Sequence, residues 1–431
     1  MTPDTLDQLI AGTFPNPDGT GTVGVTTRSL KIAPSLAGME LDLVKPLGFG
    51  RALAVVSDQT THDVLGARVV AALAGSFDVR DVVLPTGPYP DDETVEVVRQ
   101  ATKSADAVIA VGSGVINDIC KYATALDGKP YAVFATAPSM NGYTSVNAAI
   151  TEHGHKKSLA AQAPVGAFFD LQILAASPAR MIRSGLGDSL CRTTSQADWL
   201  LAHLLFDQPY RNLPYVLLSE DESPLFESAD ALMAGDIAAM ERLVRTLVLS
   251  GFGTAIYGTS APASQGEHLI SHYIDMLGPD RPMVFHGEQV GVTTLTMVRL
   301  QEKMLETTPV VRADQETLET FTARYGAELA QSCWDDFSKK RVAAADVDAL
   351  NHRIAQRWDG VRDRVSDILL KSSYLEKVLR TAGNPMKPGE IHVARDFYDQ
   401  AIVRSREIRN RYTFLDLAAG TGELQGLAAA L

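Results

Sequence analysis

Through the first third of the chain, short apolar runs rich in β-branched residues alternate with stretches whose apolar positions recur at helical spacing. Residues 51–57 (RALAVVS) predict a buried strand ending at Asp58, and Val64, Leu65, Val69 and Leu73 predict the helix after it. Residues 79–84 predict a second strand, 91–104 a helix that opens on acidic side chains, and 107–111 a third strand entering Gly112. A helix over 117–126 and a strand over 131–135 complete the pattern. Such alternation implies right-handed crossovers and a parallel sheet covered on both faces.

Between 144 and about 169 the pattern loosens into two extended segments around Glu152-His153-Gly154-His155, a hairpin with a polar turn. Beyond Asp170 helical spacing dominates, over 176–205, 230–249, 264–277, 287–305, 315–331, 343–370, 374–381 and 396–412, punctuated by Gly and Pro. The expected fold is an α/β, Rossmann-like parallel-sheet domain over 1–180 followed by an all-helical domain over 181–431. No internal repeat is visible, and the Ala-rich tail, 420–431, is expected to be poorly ordered.

With 431 residues, 45% of them apolar and 21% charged, the chain has enough apolar surface for an ordinary globular core. A net charge of −13 argues against nucleic acid or an anionic membrane as a partner, so an anionic substrate needs a local positive pocket. The first fourteen residues carry Asp4 and Asp7 without a basic-flanked apolar core, and apolar stretches such as 247–256 are short and interrupted by Gly and Ser. Neither a secretory signal nor membrane insertion is expected. Three cysteines without paired spacing fit a reducing cytoplasm.

The candidate chemistry begins at VIAVGSGVIND, residues 108–118, where Gly112 and Gly114 sit at the passage from strand to helix. Backbone N–H groups at the positive end of a helix dipole suit a dinucleotide pyrophosphate. A third fingerprint glycine is missing, Asn117 standing in its place, and a glycine pair at a strand exit also serves backbone geometry alone. The next strand runs into Thr136-Ala137-Pro138-Ser139-Met140-Asn141-Gly142-Tyr143, at the sheet edge where ligands of open α/β sheets gather; a Pro/Gly turn with solvated hydroxyls is the other reading. Asp58 either bonds an adenosine ribose, favouring NAD over NADP, or caps the following helix.

In the helical half, His268 and His272 are four residues apart and share a helix face. His286 opens another predicted helix, and Asp188 lies in Gly185-Leu-Gly-Asp-Ser. One carboxylate and two imidazoles with open positions suit a catalytic divalent ion, and spacing does not choose among Zn, Ni and Fe. A histidine pair on a helix equally serves as a satisfied helix face.

In combination and order, Gly112–Asp118, Thr136–Ser145, Gly185–Asp188, Gly266-Glu-His-Leu-Ile-Ser-His272 and His286-Gly-Glu-Gln-Val-Gly-Val292 resemble the sn-glycerol-1-phosphate dehydrogenases. These belong to the iron-containing alcohol dehydrogenase and dehydroquinate synthase superfamily, and the likeness is nearest to bacterial members associated with arabinose operons. It runs from about Arg51 to Asp416. It implies that Asp188, His268 and His286 hold the metal and that Asp188 and His272 are catalytic. It also implies that Asn141, Asp188 and His272 meet the substrate. Gly112, Gly114, Val115, Ile116, Asn117, Asp118, Thr136, Ala137, Pro138, Ser139 and Ser145 would contact NAD(P), alongside Asp58. The family usually has Asp where Asn141 stands, which removes a charge beside the substrate.

The implied reaction is hydride transfer between NAD(P)H, NAD favoured, and the C2 carbonyl of dihydroxyacetone phosphate, with Lys156 and Lys157 as candidates for the phosphate. Alternatives are a polyol or sugar-phosphate dehydrogenase on the same scaffold, or a catalytically silent binding protein. The apolar helical half suits a homodimer.

Overall fold

The computed structural model describes residues 4–152 and 155–431, without the side chains of His155 and Lys156. They pack as two compact units, one holding the chain up to Ser189 together with Asn212–Ser260, the other Leu190–Arg211 with Ala261–Leu431.

The first unit is built on strands β1 (Ser29–Ala33), β2 (Ala52–Asp58), β3 (Asp78–Leu84), β4 (Ala107–Gly112), β5 (Tyr131–Ala135), β6 (Asn147–Glu152), β7 (His155–Ala160) and β8 (Gly166–Asp170). Six of them form one parallel sheet in the order β1-β8-β5-β4-β2-β3. On one face Leu53, Val55, Ile109, Val111, Phe134 and Phe168 pack with Leu65, Val69 and Leu73, the apolar positions of the segment after β2. The β4, β5 and β8 strands are buried throughout, as in a sheet clothed on both sides. Progress along the sheet reverses at β2, with β3 on one side and β4 on the other. The crevice beyond the carboxyl ends of β2 and β4 is therefore the switch point of this sheet.

The expected hairpin is β6-β7, antiparallel from Asn147↔Ala160 to Glu152↔His155; its tip, His153-Gly154, and the side chain of Lys156 lie outside the described residues. Two strands of the sheet, β1 and β8, carried no sequence signal. Each is five residues long, too short for a period to emerge, and β8 is buried on both faces and shows no polar alternation. The helical run at 176–205 is two helices, Ala179–Ser189 and Arg192–Phe206, the break falling where the chain passes from one unit to the other.

The second unit is helical, around a core that includes Leu201, Ile270, Met297, Trp358, Tyr398 and Phe414. The tail expected to be poorly ordered, 420–431, instead holds the end of the Phe414–Thr421 helix and a further helix, Leu424–Ala430. Leu424 and Ala428 sit in the core, and Arg395 Nη2 donates to Ala428 O at 2.7 Å. Alanine gives a helix a smooth face that packs closely, so composition alone misrepresented this segment.

Glu316 lies in a knot of charges with Arg324 (2.9 Å) and Arg404 (2.7 Å). Burial pushes its carboxyl up, but the Thr320 hydroxyl and the two guanidiniums outweigh that and bring it down to about 2. A carboxylate depressed from 4.5 stabilises the fold above its unfolded value and loses that contribution as pH falls through the folded one. Wild-type protein is thus expected to lose thermal stability between about pH 4.5 and 2, and a Glu316→Gln variant to lose less over that window in melting scans. Leu424→Ala should cost about 2–4 kcal/mol by chemical denaturation, whereas Val310→Ala, at a position 69% exposed, should leave the transition in place.

Candidate active site

At the carboxyl end of β4 the chain enters the Gly114–Asp127 helix, whose N-cap Ser113 makes no side-chain cap. The first N–H groups of that helix point past the strand end with no partner within the helix, the condition that suits an anion. Neither glycine of the turn is left-handed. What they omit is a Cβ, which at Gly112 would lie 2.6 Å from Ile116 Cβ and at Gly114 2.8 Å from Met140 Sδ. Val115 is half-buried and Ile116 buried. Asn117 and Asp118 face the interior: Asn117 Nδ2 donates to Asp118 Oδ1 at 3.1 Å, and Ala149 N–H donates to Asp118 Oδ2 at 3.1 Å.

The second segment, 136–145, is built into the protein and is not a solvated turn. Thr136, Ala137, Pro138, Ser139 and Ser145 are buried. Thr136 N–H donates to Gly112 O (3.1 Å), Tyr143 OH to Ala137 O (2.6 Å), Ser184 Oγ to Ser139 O (2.8 Å) and Thr144 Oγ1 to Val248 O (2.8 Å). Two helices reach it because they carry glycine at the crossing. A Cβ at Gly185 would lie 1.8 Å from Pro138 O, and one at Gly251 2.2 Å from Thr144 Oγ1. Gly185, three residues before Asp188, thus makes room for a backbone carbonyl. In the last turn of its helix Asp188 is buried, and its Oδ2 accepts the Asn141 N–H at 2.8 Å. Asp58 caps the helix after β2, its Oδ1 accepting the Thr61 N–H at 2.7 Å. On the hairpin, Lys157 pairs with Glu152 at 3.3 Å.

Sequence reasoning missed Lys121. Its side chain is fully buried, and Nζ donates to Gly142 O, to Ser145 Oγ at 3.2 Å and to Asn147 O at 3.0 Å, with Asp118 Oδ1 at 3.7 Å. Burial lowers the ammonium to about 8 against the opposing pull of Asp118. The signal was Asp118 three residues before it, an acidic partner on the same helix face beside Asn117 and Thr124. Lys121 joins the helix of the glycine turn to the loop bearing Ser145 and Asn141.

In the helical unit, three histidines meet. His268 and His272 lie one turn apart on the Gly266–Leu277 helix with ring centroids 5.8 Å apart. His286 is the first residue of the His286–Met304 helix, its ring 5.2 Å from that of His268 and 6.2 Å from that of His272. Gln289 Nε2 sets the two helices in register by donating to Ser271 O and Oγ, each at 2.8 Å. His268 Nδ1 faces Glu267 Oε1 at 2.9 Å. Such a cluster offers borderline imidazole nitrogens to a divalent transition ion.

Residues 31–178 match the iron-containing alcohol dehydrogenase family. Over 84% of its length the chain is 29% identical to a glycerol-1-phosphate dehydrogenase [NAD(P)+] from Halalkalibacterium halodurans, covering 84% of that protein. It is 32% identical to the glycerol-1-phosphate dehydrogenase [NAD(P)+] of Pyrococcus furiosus over 63% of its own length and 78% of that relative. The chain belongs to the glycerol-1-phosphate dehydrogenase family. A probable glycerol dehydrogenase from Sinorhizobium meliloti shares the fold at a TM-score of 0.61 and 17% identity, over 94% of this chain and 98% of that one. As a glycerol-1-phosphate dehydrogenase family member the protein is a nicotinamide-dependent dehydrogenase.

Lys121→Met keeps the bulk of the side chain and removes the charge that holds three acceptors. The expected result is a rise in KM for NAD(P)H by about tenfold or more, the loss attached to a charged hydrogen-bonding group, with a smaller change in kcat. Steady-state kinetics at varied nucleotide check it.

Proposed function

We propose that the protein interconverts dihydroxyacetone phosphate and sn-glycerol 1-phosphate by hydride transfer with NAD(P)H, in the presence of a divalent metal ion. The observation that carries this reading is the meeting of His268, His272 and His286 within one helical unit. Relatives from Halalkalibacterium halodurans and Pyrococcus furiosus bear the corresponding name. The donor set fits an ion: two imidazoles fixed on separate helices, one of them with its Nδ1 already engaged, suit Zn, Ni or Fe. His268 and His286 would hold it, with Asp188 as the carboxylate ligand. When bound, the ion supplies Lewis acidity toward the substrate carbonyl.

The chain's own residues do the rest. His272, one turn from His268, orients the substrate and carries the proton to the C2 oxygen as hydride arrives at C2, a task that suits imidazole. Asn141 hydrogen-bonds substrate hydroxyls through its amide. The open end of the Gly114–Asp127 helix takes the pyrophosphate, and Ser139 and Ser145 line the nicotinamide side. Asp58 keeps one carboxylate oxygen for the ribose, which favours NAD over NADP. We place the protein in the cytoplasm, where three free, buried cysteines remain reduced, and read it as a homodimer. No helix among the described residues is long and apolar enough to cross a membrane.

Asn141, where the family usually carries Asp, favours a second reading: a non-phosphorylated polyol or a sugar phosphate as substrate. Both are separated by one assay. NADH oxidation should be at least tenfold faster with dihydroxyacetone phosphate than with dihydroxyacetone; the reverse order supports the second reading. His268→Ala should lose the metal on dialysis and turnover by about a hundredfold or more, with its circular dichroism unchanged. Full activity after chelation and dialysis would overturn the metal reading.

A further inference from the structure

We propose that Glu267 is a positioning residue of the metal centre: it fixes the His268 ring so that Nδ1 carries the proton and Nε2 is presented to the ion. The inference rests on the reading that His268 binds metal. Glu267 is fully buried, and each carboxylate oxygen is held. Oε1 lies 2.9 Å from His268 Nδ1 and accepts the Gln265 N–H at 2.8 Å; Oε2 accepts from Thr194 Oγ1 at 3.0 Å. An acceptor-only carboxylate at that distance admits one tautomer, because the ring nitrogen facing it must bear the hydrogen. The lone pair is then on Nε2, which is how a carboxylate beyond the ligand shell orients a metal-binding imidazole and raises its basicity.

The helix itself is held for this purpose. Asp198, also buried, accepts the Gly266 N–H at 3.0 Å and is itself fixed by the Phe414 N–H at 2.9 Å and Gln301 Nε2 at 3.2 Å, so the first turn carrying Glu267 and His268 is tied to a held carboxylate. Glycine at 266 is required there, since a Cβ would lie 2.7 Å from Asp198 Oδ2 and 2.5 Å from Met297 Cε. Cys191, Glu267 and His268 also form a compact trio resembling a separate ligand set. Its parts are already engaged: Glu267 faces His268 and Thr194, and Cys191 Sγ donates to Ala263 O at 3.5 Å. The trio is therefore the support of one ligand, not a second metal site.

The test strips the purified full-length enzyme with a chelator and titrates Zn2+ back in competition with a chromophoric chelator, alongside apo-protein melting. Glu267→Gln should bind Zn2+ about 10–100-fold more weakly, the usual effect of removing such a partner, and Thr194→Val several-fold more weakly. Wild-type Zn2+ affinity in Glu267→Gln, with only the apo melting temperature lowered, would show a structural carboxylate and overturn the proposal. If Glu267→Gln does not fold, Thr194→Val decides, and unchanged affinity there overturns it. His268→Ala separates the two levels: if it binds Zn2+ like wild type, the metal reading itself fails, whereas loss in His268→Ala with none in the Glu267 and Thr194 variants overturns only the positioning role.

Discussion

The organisation of the first unit depends on satisfying a polar loop that is buried at the carboxyl edge of its sheet. Residues 136–147 bring carbonyls and hydroxyls into a largely buried region, where each unpaired buried group would cost about 1–3 kcal/mol. Part of the answer is one ammonium with three donors, Lys121, set against Gly142, Ser145 and Asn147. The rest is close backbone approach, with Gly185 and Gly251 letting two helices lie directly on the loop. Rigidity follows from the same contacts. A loop tied down by this many bonds presents Asn141 and Ser145 in one geometry, and the Asn141 backbone N–H in turn holds the Asp188 carboxylate.

The helical unit answers a different demand, placing imidazoles from two helices side by side. Helical periodicity puts His268 and His272 on one face, but nothing in periodicity sets the distance to His286. That distance comes from Gln289 bonding Ser271 and from the capped start of the His286–Met304 helix, where Glu288 Oε2 accepts the Phe285 N–H at 3.2 Å. A buried carboxylate behind His268 then selects a ring orientation. The general pattern is a ligand on a rigid element, oriented by a partner one layer further in.

Much of this was legible in the sequence, for reasons that differ by element. The β2, β4 and β5 strands announce themselves as apolar runs bounded by Gly and Pro, and the long helices as repeated apolar faces. Short strands β1 and β8 do not: each offers only five residues, and β8, buried on both faces, shows no polar alternation. The C-terminal helix escaped for the opposite reason: Ala-rich composition suggests weak anchoring until a partner surface is known, and here Leu424 and Ala428 find one. Glycines gave a mixed signal. Their spacing marked the right places, yet their role is to spare clashes with Met140, Pro138 and Thr144, which no linear pattern contains.

By itself the sequence determined the kinds of chemistry present: a glycine turn between strand and helix, histidines at one-turn spacing, an acidic chain with few cysteines, and motifs in an order shared with one family. These are properties of residue type and local period, which survive without a fold. Tertiary structure alone decided which polar groups are buried and who pairs with them. That Lys121 is a clamp and not a surface charge, that Glu267 stands behind His268, and that Asp118 points inward all depend on contacts between segments distant in sequence or on which side of a helix meets the core. Burial raises the cost of every unpaired charge, so these partners, invisible to a linear reading, are the ones the fold had to specify.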